Sequence, residues 1–278
     1  FLTGAAEADD TAMLWIFQMV FAGTAATIVA GAMAERTQIN AYLAYSFIVG
    51  AIIYPVYGHW VWGDGWLSNL SLGQGAVDFA GSGVVHAVGG MVALAGAVIV
   101  GPRIGTFNPD GTPNDIPGHN MPYVLLGTFI LFFGWFGFNA GSTLSGTDLR
   151  ITTIATNTLL AGATGAVVAM YIQMSITGKA DLAMSCNGAL AGLVGITAPC
   201  AFVAPWAAVV IGGVSAPVMM LSMRFVERNL KIDDLVGAAS VHGTTGLWGL
   251  LAVGIFANGT YQDVSGLVDG NAEQIVAQ

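Results

Sequence analysis

Charge is what this sequence has least of. Only 8% of its 278 residues are Asp, Glu, Lys or Arg, against about a quarter in soluble domains. Seven lysines and arginines in all cannot build the basic patch that nucleic acid requires, so a partner of that kind is excluded. Cysteine is scarcer still, with Cys186 and Cys200 alone. If the apolar run between them is helical they stand roughly 14 × 1.5 ≈ 21 Å apart, beyond disulfide reach. They read as small buried hydrophobes. No His, Cys, Asp and Glu set has metal-site spacing. A phosphate loop, a Ser-His-Asp set, HExxH and a TVGYG-type filter are all missing. Neither an enzyme nor a bound cofactor is expected. The first residue is Phe1 rather than Met, and no basic stretch precedes an apolar one, so no signal peptide is read and a fragment or processed chain is expected.

What the sequence has is apolar length. Hydrophobic residues make up 55%, glycines number 39, and mean hydropathy is +0.73. That composition belongs to a polytopic membrane protein, in which small residues let helices approach. Charge-free runs place spans at Leu14–Ala34, Ile39–Tyr57, a third from Asp78 to Val100, Met121–Ala140, Ile151–Ile176 and Ala239–Ala257. Leu182–Met223 holds no charge over 42 residues, too long for one span of about 20 and right for two, with Pro199 and Pro205 between them. The expectation is one membrane domain, residues 1–278, with eight spans. Residues 258–278 are polar and acidic and read as solvent-exposed.

Basic residues give the orientation. With the N-terminus outside, Arg36, Arg103, Lys179, Arg224, Arg228 and Lys231 fall inside and Arg150 alone outside. A six-to-one bias matches the positive-inside rule. Both residue 1 and residue 278 then lie on the outer side.

Two imidazoles sit inside these spans, where they are costly without a partner or cavity. Val85-His86-Ala-Val-Gly-Gly90 is similar to Val241-His242-Gly-Thr-Thr-Gly246, with Gly four residues after His in both. The two spans cross in opposite directions, as in the inverted repeats of transporters. Two separate histidines bonded to backbone carbonyls would be the bland explanation. A pair at related repeat positions favours a shared polar site able to pass a proton. His59 and His119 fall in or beside connections. Asp78 reads as a cap at the start of the His86 helix, and also as an acid lending negative potential to a cation site. Trp60, Trp66 and Trp135 read as an interfacial aromatic belt. Phe17 and Phe21 share a helix face, and any of these ring faces with a hydroxyl nearby would attract a small cation.

Gly31-Ala-Met-Ala-Glu-Arg36, Trp62-Gly, Asp78-Phe-Ala-Gly, Val85-His86, Gly134-Trp-Phe-Gly-Phe-Asn-Ala-Gly-Ser142, Ala191-Gly-Leu-Val-Gly and Asp233-Asp234 through Val241-His242-Gly together resemble the Amt/MEP/Rh ammonium transporters. The resemblance implies an all-α bundle of eleven spans with a five-plus-five inverted repeat, assembled as a homotrimer; the small loops point to a plasma (inner) membrane. It implies an ammonium or ammonia pore, with methylammonium as a further candidate and no metal or cofactor. Phe21, Trp62 and Ser142 would form the outer site, Phe21 and Phe138 the gate, His86 and His242 the pore pair, and Asp78 the supporting acid. Trp62 and Ser142 place the resemblance with the Amt/MEP branch rather than the Rh-like gas channels. Only the family's third to tenth spans are matched, so a partial chain is expected, without the tail that P-II regulatory proteins engage. The loop motif has Leu235 where the family commonly has Pro. The rival reading is an ammonium-sensing module of a signalling protein that conducts little or nothing.

Overall fold

The computed structural model describes residues 9–278, and among these no β-strand occurs. In chain order the helices are α1 (Asp9–Met33), α2 (Ile39–Ile48), α3 (Tyr54–Trp62), α4 (Val88–Val100), α5 (Met121–Ala140), α6 (Arg150–Thr177), α7 (Leu182–Thr197), α8 (Pro205–Arg224), α9 (Thr245–Phe256) and α10 (Glu273–Ala277). π-helical turns interrupt the pattern. Val49–Ile53 joins α2 to α3, Ser82–Ala87 leads into α4, Phe225–Asn229 extends α8, and Ala239–Thr244 leads into α9. Pro55, in the first turn of α3, has no amide hydrogen to give the preceding turn, which accounts for the local change of helix type there.

Seven of these helical stretches are long and apolar enough to cross a membrane, one fewer than the charge-free runs suggest. The difference is α7. Its 16 residues reach about 24 Å, short of a hydrocarbon core of about 30 Å. Protein rather than lipid surrounds it: from Ala191 through Val203 every residue is buried. The non-helical backbone after α7 is tolerated at this depth because protein satisfies it. The Asn157 amide, on α6, donates to the Cys200 and Val203 carbonyls at 2.9 Å each. Cys186 and Cys200 are free and buried. The helices α6, α7 and α8 touch through small residues. A Cβ on Gly165 would strike Gly188 backbone, and one on Gly192 or Gly212 would strike the Ala161 carbonyl.

Two expectations need correcting. The second span continues to Trp62, so His59, Trp60 and Trp62 lie on the helix rather than in a connection. A helix carries its hydrogen-bond ladder past polar and glycine residues when tertiary contacts hold it. The segment 258–278 is not simply solvated. Gln274 is fully buried. Its side chain accepts from the Gln74 amide at 2.9 Å and donates to the Gly75 carbonyl at 2.8 Å. The acidic tail thus folds back on the loop that leads to Asp78.

At the opposite end an ionic clasp ties three segments together. Asp233, 4% exposed, receives Arg103 Nε at 2.9 Å and Nη2 at 3.0 Å. The Arg103 amide and the Thr106 hydroxyl complete its shell at 2.9 and 3.0 Å. Arg36 donates to the carbonyls of Ala32, Gly101 and Asp233 at 2.9, 2.6 and 2.6 Å. The ends of α1 and α4 and the approach to the Ala239–Thr244 turn are held at one point. Burial pushes the Asp233 carboxyl up, but the Arg103 bonds and the other donors outweigh it and hold it below the usual carboxylate range. The clasp therefore stabilises above that range and weakens as pH falls through the folded value. Arg103→Ala is expected to cost about 3 kcal/mol at neutral pH by stranding a buried charge, a deficit that shrinks on acidification. Glu35→Ala, at the 61% exposed partner, should cost ~0.5 kcal/mol or less. Thermal unfolding in detergent across pH checks both.

Candidate functional site

Rings from five separated stretches of sequence form one column. Phe21 on α1 lies edge-on to Trp62 of α3, centroids 6.0 Å apart. It stacks on Phe138 of α5 at 4.2 Å and 22°. Phe138 is 5.4 Å from His86, and His86 is 5.2 Å from His242. Phe21 is only 2% exposed and His86 1%, so the column is closed to solvent at both rings. Ser142 lies one turn beyond Phe138 and donates its hydrogen to the Phe138 carbonyl at 2.6 Å. That leaves its oxygen free to accept from a cation.

The two histidines meet directly, Nδ1 to Nδ1 at 3.1 Å. Only one of the two nitrogens can hold the shared proton, so the pair is an N–H···N bond in which one ring donates and the other accepts. The crossing depends on the glycines that follow each histidine. A Cβ at Gly90 would strike the Gly243 backbone, and one at Gly246 would strike the Ser82 carbonyl and the Ala87 amide. Each glycine makes room for the π-helical turn that bears the other imidazole. π-helical turns are rare and concentrate at functional sites, and here both histidines lie on one.

An aspartate starts each histidine turn. Asp78 Oδ1 accepts from the amides of Gly81 and Ser82 at 2.8 and 3.0 Å, and Oδ2 from Gly83 and Val84 at 2.8 and 3.0 Å. Its carboxylate is wholly spent on the amides that a helix start leaves unpaired. The capping role is therefore the one the geometry carries. Contact with the outer rings runs through its main chain, whose carbonyl accepts from Trp62 Nε1 at 2.6 Å. Asp234 repeats the device, accepting from the Ala238 and Ala239 amides at 2.8 Å each, and burial pushes its carboxyl up to about 6. Asp234 is absent from the sequence-based site. The signal was present, since 86 − 78 and 242 − 234 both equal 8.

Trp135 is the clearest miss. It reads as part of an interfacial belt, yet it is 5% exposed and stacks on His86 at 5.1 Å and 10°. Its Nε1 donates to the Thr197 hydroxyl at 2.9 Å. Trp66, by contrast, is 58% exposed and packs edge-on to Trp60 at 5.8 Å. Beside the column, between α1 and the α2–α3 span, a groove of about 1030 Å³ is lined by Gln18, Tyr54 and Trp62 among others. His86 Nε2 is buried without a partner. No group of three or more His, Cys, Asp or Glu that could hold a metal occurs among the described residues.

The crossing gives a direct contrast between two glycines. Gly90→Ala should force the histidine turns apart and destabilise by about 3 kcal/mol, at the upper range for overpacking. A Cβ at Gly137 meets nothing within 4 Å, so Gly137→Ala should be neutral or gain up to ~1 kcal/mol from helix propensity. Melting temperatures of the two variants decide.

Residues 2–278 match the model of the Ammonium Transporter Family. The ammonium transporter Amt2 of Archaeoglobus fulgidus is 54% identical, covering 98% of this chain and 60% of its own length. Ammonium transporter 1 member 2 of Arabidopsis thaliana is 42% identical, covering 89% and 52%. Among solved structures, a sensor Amt protein superposes with a TM-score of 0.86 at 44% identity, covering 94% of this chain and 64% of that one. Mep2 of Candida albicans gives 0.83 at 33%, covering 92% and 57%. The chain thus spans about half to two thirds of the length of these relatives. With its membrane-spanning helices, inverted repeat and these relatives, this multi-pass integral membrane chain belongs to the Ammonium Transporter Family, whose named members are transporters rather than enzymes.

Proposed function

We propose that this chain forms the conducting core of an ammonium transporter in a plasma membrane, with ammonium, and methylammonium as an analogue, passing along the column from Trp62 to His242. The observation that carries the reading is the unbroken run of aromatic rings ending in a hydrogen-bonded imidazole pair. Ammonium enters as a hydrated cation, and removing its water in an apolar pore is expensive. The faces of Phe21 and Trp62 and the Ser142 oxygen replace part of that shell. Phe21 stacked on Phe138 blocks the way for a solvated ion, so only a species that sheds water and its proton proceeds. K⁺ has no proton to shed and is rejected. Beyond the gate, neutral ammonia hydrogen-bonds with His86 and His242, and the shared Nδ1 bond gives the released proton a route of its own. Uptake is then electrogenic, moving ammonia and a proton together.

Assembly as a homotrimer fits the apolar rings that α5 exposes, Phe129 at 62% and Phe133 at 81%. An alternative draws on the sensor Amt protein among the structural relatives: the same pore geometry could bind ammonium and report it, conducting little. Reconstitution of the protein in planar bilayers separates these readings. The transporter reading expects ammonium-evoked current with K⁺ rejected, and a current lost or unselective in His86→Asp and His242→Ala. Wild-type binding without current supports the sensor instead, and unchanged current and selectivity in both variants refutes the relay.

A further inference from the structure

Ser222, near the end of α8, is bonded to two hydroxyls of the π-helical turn that carries His242. It donates to Ser240 at 2.9 Å and is paired with Thr244 at 2.7 Å. A hydroxyl has one hydrogen, so with that hydrogen on Ser240, Thr244 donates to Ser222. Ser240 and Thr244 stand two residues before and two after His242. Two residues turn a helix by about 200°, so both hydroxyls leave the face opposite the imidazole. The turn is gripped from behind by α8 and met at Gly243 by Gly90.

That arrangement addresses a specific weakness. A π-helical turn amounts to one residue inserted into an α-helix. If the insertion relaxes or moves past His242, the ring swings by about 100° and the Nδ1 bond is lost. Bonds on both sides of His242 pin the insertion where it is. The His86 turn has its own anchor: Ser82 donates to the Val194 carbonyl at 2.7 Å and accepts from the Ala198 amide at 2.6 Å, joining it to α7.

We infer that Ser222 is a positioning residue for His242, holding the second histidine turn in register so that its imidazole pairs with His86. The assignment concerns the geometry of the pair and deepens the proposed proton route without depending on transport. The test is nitrogen-15 NMR of ring-labelled histidine in bilayers, reading the N–H···N signature of the pair, together with the pH profile of ammonium current. Ser222→Ala is expected to lower the paired population by roughly threefold or more, the factor of one interhelical hydroxyl bond, and to shift the pH profile. Ser222→Thr should restore both. Ser215→Ala is the control, because that buried hydroxyl on α8 bonds only its own helix at Ile211, 2.8 Å away. An intact signature in Ser222→Ala, or an equal loss in Ser215→Ala, overturns the assignment. A wild type with paired rings and no current would count against the transporter reading alone.

Discussion

Two imidazoles within a membrane domain, sharing one hydrogen between Nδ1 atoms 3.1 Å apart, set the terms for the rest of this structure. Each ring alone would carry a large desolvation cost, and together they satisfy one nitrogen apiece. Their meeting requires two helices to touch at backbone distance, which only Gly90 and Gly246 allow. It also requires each ring to leave its helix in the right direction, which the π-helical turns supply. Those turns begin with amides that no helix can satisfy, and Asp78 and Asp234 occupy them. Arg36, Arg103 and Asp233 then tie the far end of α4 to the approach of the His242 turn.

The aromatic half of the column follows a different logic. Phe21 is buried in a hydrophobic cluster and Phe138 packs against it, so on the proposed reading the gate is part of the hydrophobic packing. Trp135 joins the two halves, lying 5.8 Å from Phe138 and stacked on His86. A displacement of the Phe138 ring is therefore felt at the histidine through direct contact. Selectivity on this account comes from what the closed rings demand of the permeant species rather than from a measured pore width.

Much of this was legible in the sequence, and the rest was hidden for identifiable reasons. Charge-free runs were enough for most spans, because lipid tolerates few charges. His86 and His242 stood out because imidazole is expensive in that setting, and the repeat of Gly four residues on paired them. Rotation about a helix axis was not legible. In a membrane helix the lipid-facing and protein-facing sides are both apolar, so nothing in its spacing said that Trp135 faces His86. The same ambiguity hid Ser222, one hydroxyl among many. Helix α7 is shorter than its charge-free run suggests, because composition does not report where a protein-enclosed segment gives up helical backbone. The Arg103–Asp233 clasp joins residues 130 positions apart, a separation no local pattern reports.

The central claim is that ammonia and a proton cross together, by way of the gate and the imidazole pair. Recording current and lumenal pH simultaneously in proteoliposomes after an ammonium jump tests it most directly. The account predicts inward current with no alkalinisation beyond that of protein-free vesicles, since each ammonia brings a proton with it. Alkalinisation beyond that baseline without current would mean that neutral gas passes alone, and would contradict it.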